Sequence, residues 1–456
     1  MHNIEIMKKA ALLSFSLLVL LACNNSGTMT GTSSSTVSDA ISSVIERPLE
    51  NIKDNTLHFT VKANEPTTLT APSGSRIIIP ENAFVDQSGK PITGDIDIAF
   101  EEFHSSSDII LSGIPMNITS ENGDMGVLES AGMFRLEGEQ NGKEVYVAED
   151  KTLEIQLASF KEGNDYNFYE FSEESANWIE KGRTEPVANA KRQAALAELG
   201  VEPIQPIEIQ KASSEDFVFD LRVDQARNPE FSYFDNVLWK LAEEKTDKAL
   251  FNENIRNPEL ECVDANRSVF RLNGKANGKA VQALVTPVLF GSSWQKAQSA
   301  FKEKMSAYQA AKKSRDEQLK SLDKMALVQR SFSINNFGLF NFDRISKLKR
   351  RVELRALFFV PAIKKILNRA YLIQGKDKIA IPYTFSPSFP FMFDPKAENH
   401  LITFDEDGNL YEFTSDDFEN ADFKNYNRST EFTFRMRETD VIIDDQYDLD
   451  DYIASL

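Results

Sequence analysis

Chemistry in this chain would have to come from its four histidines, its two cysteines or a pool of 70 carboxylates, and their spacing builds none of the familiar sites. His2, His58, His104 and His400 have no near histidine neighbour, and no His-Glu-x-x-His, Cys-x-x-Cys or Gly-x-Ser-x-Gly run occurs. Those runs matter because a metal needs several donors converging on one point, and a serine nucleophile needs a base beside it. His58 stands between Leu57 and Phe59 in an alternating run, which places it on the polar side of a strand. Glycoside hydrolysis needs two carboxyls about 5–9 Å apart. A pool this large supplies such a pair by chance, so neither Glu101 with Glu102 nor Asp108 is nominated. Trp178, Trp239 and Trp294 suit a sugar platform and a core equally well. Phosphate-loop and dinucleotide-binding patterns are absent. The expectation is a protein that is not an enzyme, with no catalytic residue, no metal site and no cofactor.

Cys23 is the residue whose setting does imply chemistry. Lys8 and Lys9 precede the run Ala10 to Leu21, apolar apart from Ser14 and Ser16, which ends in Leu20-Leu21-Ala22-Cys23. Such a helix would span roughly 18 Å, short of the roughly 30 Å hydrocarbon core, so residues 1–22 read as a signal peptide and not as an anchor. The Leu-Leu-Ala-Cys string resembles the bacterial lipobox. That resemblance implies a lipoprotein in which Cys23 carries a diacylglyceryl thioether and an N-terminal acyl chain such as palmitate. Asn24 in place of Asp favours the outer membrane, and the absence of an acidic cluster next to Cys23 favours its periplasmic side over the cell surface. Acylation leaves Cys262 as the only thiol, excludes an intramolecular disulfide, and makes a small buried hydrophobe the expected role for Cys262.

Elements that would position any site follow from composition and period. With 41% hydrophobic residues and 33 Phe in 456 residues, the chain is too apolar for general disorder and long enough for two or three cores. Its formal charge of -19 repels nucleic acid and anionic lipid, and the one dense basic run, Arg344 to Arg351, reads as a source of ion pairs. Residues 23–54 read as a polar tether. Over 55–184 the period is two, as in Leu57-Phe59-Val61 and Ile96-Ile98-Phe100, with Gly-containing turns between strands. That pattern predicts a β-sandwich. Residues 185–214 hold a helix, Ala188 to Leu199, and a Pro-containing linker, and 215–292 return to extended structure. Residues 293–330 predict one long helix, on which Phe301, Met305, Tyr308, Leu319 and Leu322 form a discontinuous apolar stripe and a possible interaction surface. Residues 331–439 continue the second β-rich domain, with a hairpin turn at Asp405-Glu-Asp-Gly408 that lacks the spacing of a calcium loop. Six Asp within Asp440 to Asp451 make 440–456 an acidic tail. The fold class is mainly β, with the long helix inserted in the second β-rich domain.

Ser75 to Phe84, reading Ser-Arg-Ile-Ile-Ile-Pro-Glu-Asn-Ala-Phe, resembles ZU5-like β-sandwich domains, whose hallmark is a hydrophobic strand running into Ile-Pro-x-x-Ala. The continuations Gly89 to Gly94, Ser112 to Met116 and Ser130 to Phe134 are similar to a module recurrent in secreted and outer-membrane proteins of the Bacteroidota. Residues 215–439, with Val285 to Gly291 and Asn336 to Asp343, resemble the remainder of the same lipoprotein class. The likeness implies protein binding, with no established catalysis. Some ZU5 relatives cleave themselves at a serine after His-Phe; here the order is Phe103-His104-Ser105, so that activity does not carry over. The expected function is a lipid-anchored cell-envelope scaffold or accessory protein that binds another envelope protein. A carbohydrate- or cell-wall-binding lipoprotein, recognising glycan through coplanar aromatics, is the alternative. A hydrolase with a dispersed site around His104 or His400 is a further one.

Overall fold

The computed structural model describes residues 45–120, 122–223, 237–243, 248–252, 254–346, 348, 351–384 and 389–456. The leader, Cys23, the tether before residue 45, Phe234, and Lys347, Lys349 and Arg350 of the basic run lie outside the described residues.

Alternating strands bury one face each, and here they do so in two layers. An eight-stranded sheet runs in the order Leu57–Lys62, Asp95–Phe103, Met125–Gln140, Gly338–Ile345, Asn167–Ser172, Asn177–Gly182, with two short strands beside Met125–Gln140. A five-stranded sheet runs Val187–Ala188, Val328–Ile334, Leu153–Ser159, Arg76–Ile79, Thr67–Thr70. Ile96, Ile98 and Phe100 of the first meet Leu153, Ile155 and Leu157 of the second in one core. Phe340 stacks between Phe134 and Phe168, at centroid distances of 5.2 and 5.6 Å. Each such buried side chain stabilises by about 1.5–3 kcal/mol.

Two of these strands come from an unexpected place. Residues 331–345 were expected in the second β-rich domain and 328–330 at the end of the long helix, which stops at Asp323; instead Val328–Ile334 pairs antiparallel with Leu153–Ser159, and Gly338–Ile345 fills the gap between Met125–Gln140 and Asn167–Ser172. Residues 55–184 therefore do not close a sandwich by themselves, since the middle of one sheet and part of its core arrive with Phe340 and Phe342.

The intervening residues 189–327 form an insert whose ends lie side by side. Asn189 N donates to Leu327 O at 3.1 Å, and Asn189 Nδ2 to Ala326 O at 2.8 Å. The insert holds a short helix, Ala190–Glu198, a six-stranded sheet cored by Trp239, Phe270, Leu272 and Val285, and the long helix Gly291–Asp323, about 50 Å at 1.5 Å per residue. Near its start the helix meets Ile209, with Gln298 Nε2 bonded to Glu208 at 2.8 Å. Near its end Arg315 Nη1 donates to Leu199 O at 2.9 Å, and Arg192 donates to Leu322 O. The segment from 199 to 209 thus runs antiparallel along the helix. Cys262, expected to be buried, stands exposed on the strand Arg256–Asp264, an edge of the insert's sheet.

Beyond the sandwich, a four-stranded and a five-stranded sheet enclose a Phe-rich core that includes Phe391, Phe393, Phe413 and Phe434. The outer face of the eight-stranded sheet is covered in part: Phe103, Met133 and Leu339 pack against Ile45, Ile109 and Met116. Two expectations change here. Residues 45–54, read as the end of a tether, are packed: Ile45 and Leu49 are buried, and Arg47 pairs with Glu101 at 2.6 Å. Residues 440–456, read as an acidic tail, complete the strand Arg437–Ile442 and form the helix Gln446–Ser455. Leu449 and Ile453 recur at a spacing of four and bury against Ile110, Leu111 and Tyr371, while Asp445 and Asp448 close a capping box at its start, where carboxylates oppose the helix dipole. The short helix Ser106–Ser112 lies in this seam and ends at Gly113, whose φ of 70° is left-handed and whose missing side chain leaves room for Glu46 O. Gly113→Ala is expected to lower stability by about 2 kcal/mol or more, read as a shift in urea midpoint, because both strain and a backbone clash result.

Candidate functional site

The stripe proposed on the long helix is only partly accessible. Phe301, Met305 and Tyr308 are half-buried, Leu319 is 37% exposed, and Leu322 is 3% exposed at the end where Ala190–Glu198 packs. Leu322 therefore belongs to the interior, which its spacing from Leu319 did not reveal. Of the tryptophans, Trp178 and Trp239 are buried and Trp294 is half-buried with Lys211 Nζ 5.4 Å over its ring. They form no coplanar exposed row.

The residues most like a catalytic set come together where the two layers of the sandwich meet. Glu102 and His104 extend from the end of Asp95–Phe103, two residues apart, while Ser73 and Ser75 precede the strand Arg76–Ile79 in the other layer. Glu102 accepts from Ser73 Oγ at 2.7 Å, from Ser75 Oγ, and lies 3.1 Å from His104 Nε2. Burial pushes the Glu102 carboxyl up, but His104, Ser75 and Ser73 outweigh it and hold the group below its usual value. The order of the contacts decides the chemistry. A nucleophilic serine needs the imidazole between itself and the acid. Here the carboxylate is in the middle, so Ser75 donates to an acid that does not pass its proton on, and its oxygen is occupied by Ala158 N at 2.7 Å. The other imidazole nitrogen is enclosed, with Phe160 edge-on at 5.1 Å and Gly132 beside it. Ser, Glu and His thus form a latch between layers and not an activated nucleophile.

Ser105 caps a helix. Its backbone is extended at φ −99° and ψ 167°, and Asp108 N donates to its Oγ at 3.1 Å while Asp108 Oδ2 accepts from Ser105 N at 2.8 Å. No base faces it, and nothing in that geometry activates its hydroxyl for an acyl shift. Ser105→Ala is expected to cost about 0.5–2 kcal/mol and to leave the chain's length on a denaturing gel unchanged. A fragment ending near His104 that vanishes in this variant would overturn that assignment.

A second cluster fills one end of the sandwich. Arg344 holds Glu129 at 2.7 Å and Asp165 at 3.1 Å, and Arg330 and Arg344 sit 4.6 and 4.9 Å over the ring of Tyr166. Arg330, 1% exposed, donates to Ser159 Oγ, Lys161 O and Gly163 O. Asp343 is wholly buried beside Asn341 and Ser130, and burial pushes its carboxyl well above the usual range against the pull of Ser130 and Lys161. Arg330 and Asp343 are enclosed while Arg344 and Asp165 reach the surface already paired, which suits bracing better than turnover.

Open concavities lie elsewhere. A cleft of about 290 Å³ on the eight-stranded sheet is lined by His58, Glu101, Arg135 and Glu137, with Arg47 and Asp54 as a wall. Its carboxylate is engaged: Glu101 bridges Arg47 at 2.6 Å and Arg135 at 3.5 Å. A broader groove of about 1070 Å³ between residues 395–398 and 415–426 has Phe418, Phe423 and Tyr426 at its base. Phe418 and Phe423 are buried and tilted 38° to each other, so they offer no flat platform. His400 lies half-buried on Asn399–Phe404, and burial holds its imidazole below its usual value despite Glu398 and Glu412. At the expected hairpin, Asp405 spends its carboxylate on Asp407 N, Asn409 and the Tyr411 hydroxyl.

Among the described residues no group of three His, Cys, Asp or Glu is placed to hold a metal ion, and no helix is long and apolar enough to cross a membrane. No protein-family model, curated protein or solved structure matches this chain.

Proposed function

We propose that this protein is a non-enzymatic, lipid-anchored scaffold or accessory protein of the cell envelope, fastened through Cys23 to the periplasmic side of the outer membrane, and that its sandwich is ZU5-like. The observation that carries the reading is the insert. A chain that needs only a stable sandwich gains nothing from 139 extra residues, 189–327, ending in a 33-residue helix of which only Ala297 and Leu322 are buried. A helix that long, lined by residues 190–209 yet with so little buried face, has room for a further contact, and helical stability in proteins comes chiefly from packing. Phe301, Met305 and Tyr308, half-buried along its middle, are the residues offered to another envelope protein. The enclosed Ser75–Glu102–His104 latch weighs in the same direction, since the best catalytic elements are spent on structure.

The test is crosslinking in intact cells through a photoreactive residue at Tyr308. The expected result is a discrete adduct with an envelope protein that disappears in Cys23→Ala. Recovery of unacylated protein from the cytosol, with the leader intact and no adduct, would overturn the reading.

A further inference from the structure

Several arginines of this acidic protein are held by carboxylates, as Arg47, Arg344, Arg369, Arg428 and Arg437 are. The long helix departs from that habit. From Gly291 to Lys324 there are eight Lys and Arg against four Asp and Glu, in a chain of formal charge -19. Among the described residues, none of those eight lies within ion-pair distance of a carboxylate. Lys302, Lys313, Lys320 and Lys324 are all exposed, and their spacings of 11, 7 and 4 are near whole numbers of helical turns. They stay within about 40° of one line along the helix, on a different face from Phe301, Met305 and Tyr308.

A matching surface exists on the same chain. Asp440, Asp444, Asp445 and Asp451 are exposed around the C-terminal helix, and none is in an ion pair among the described residues. Amid them Tyr447 is 77% exposed and Ile442 52%, the composition of a docking patch with an aromatic anchor and a charged rim. One molecule does not join the two. The acidic helix packs on Ser106–Ser112, over the outer face of the eight-stranded sheet, whereas the insert leaves from Val187–Ala188 and Val328–Ile334 in the opposite layer.

We propose that the lysine stripe of the long helix docks on the Asp440 to Asp451 surface of a second copy of this chain. The contact is head-to-tail, so a pair keeps one free helix on one copy and one free acidic end on the other. A lipid surface fits the stripe less well. Ser306 and Gln309 lie between its lysines, and Gln295 before them, with no large apolar side chain to insert, and Asp316 and Glu317 flank it, which a uniformly anionic surface would repel. The inference is independent of the membrane reading, because it concerns two folded surfaces and not the leader.

Sedimentation velocity of the full chain carrying Cys23→Ser tests it, at about 100 mM salt, where the Debye length is about 10 Å, and at about 500 mM. The expected result is a mean mass that rises with concentration at the lower salt and returns to monomer at the higher. Lys313→Glu with Lys320→Glu, both exposed, is expected to raise the half-association concentration at least about tenfold, as is Asp444→Lys with Asp451→Lys. Mixing the two reversed proteins is expected to restore association between them. A monomer under all conditions overturns the proposal. So does association that neither reversal changes, or binding of the monomer to phosphatidylglycerol vesicles that needs the lysines.

Discussion

Replacing Arg330 by alanine is expected to destabilise the protein by about 3 kcal/mol, the scale of losing a large buried side chain together with its hydrogen bonds. Arg330 belongs to Val328–Ile334, the strand by which the chain returns from the insert, and its inward position is one that Val328 and Ile334 on the same strand fill with hydrocarbon. Its guanidinium crosses to the loop after Leu153–Ser159, donating to Ser159 Oγ at 3.2 Å, Lys161 O at 2.8 Å and Gly163 O at 3.0 Å. Truncation leaves the buried Ser159 Oγ without this donor, at about 1–3 kcal/mol for a group left unsatisfied, frees the part-buried carbonyls of Lys161 and Gly163, and opens a void against Tyr166. Lysine is expected to recover only part of the loss, because a single ammonium cannot span acceptors that a planar fork reaches from several nitrogens. Urea denaturation of Arg330→Ala and Arg330→Lys provides the check; a loss below about 1 kcal/mol for alanine would mean that the loop finds other donors.

Arg330 also marks the boundary of what can be read from the sequence. Local period carried Ile96-Ile98-Phe100 and Leu153-Ile155-Leu157 to strands with the correct face inward, and the four- and three-residue spacing from Ala297 to Tyr308 to a helix. Period says nothing about partners far along the chain. Leu153 pairs with Ile334, and nothing near either residue announces the other, so residues 331–345 read as part of a later domain when they complete the first. Polar surroundings hid apolar spacing twice. Leu449 and Ile453 are a helix face set among aspartates, and Ile45, Leu49 and Ile52 are a packed edge following a Ser- and Thr-rich stretch. Of the latch, the sequence singles out His104 for a dispersed site and does not nominate Glu102, although the two stand two apart at a strand end. Ser73 and Ser75 were not legible, because they come from the other layer.

Asp343→Asn is expected to stabilise the protein, and to do so only above the ordinary carboxylate pKa of about 3.9. Asp343 alternates with Asn341 on the face of Gly338–Ile345 that turns away from Phe340 and Phe342; it is fully buried, and its Oδ1 has no hydrogen-bond partner. Burial raises its pKa, with Glu129 adding to the effect and Ser130 and Lys161 opposing it, and the net direction is well upward. The sign follows by linkage. Between the unfolded value and the raised folded one, the folded state keeps a proton that the unfolded chain has released, so stability falls as pH rises through that window and stays low above it. Each unit of upward shift corresponds to about 1.4 kcal/mol of that loss. Asparagine keeps the shape and one acceptor for the Asn341 amide but has no proton to lose, so the gain is expected to be near zero at about pH 4 and about 1–3 kcal/mol at about pH 8. Lys161 is the group that opposes this outcome: its ammonium lies 3.9 Å from Glu129, and burial pulls its own pKa down. If urea denaturation finds Asp343→Asn destabilising by the same amount at both pH values, the carboxylate is held as an anion by Lys161, and the cluster at the end of the sandwich is an ion-pair brace instead of a protonated acid.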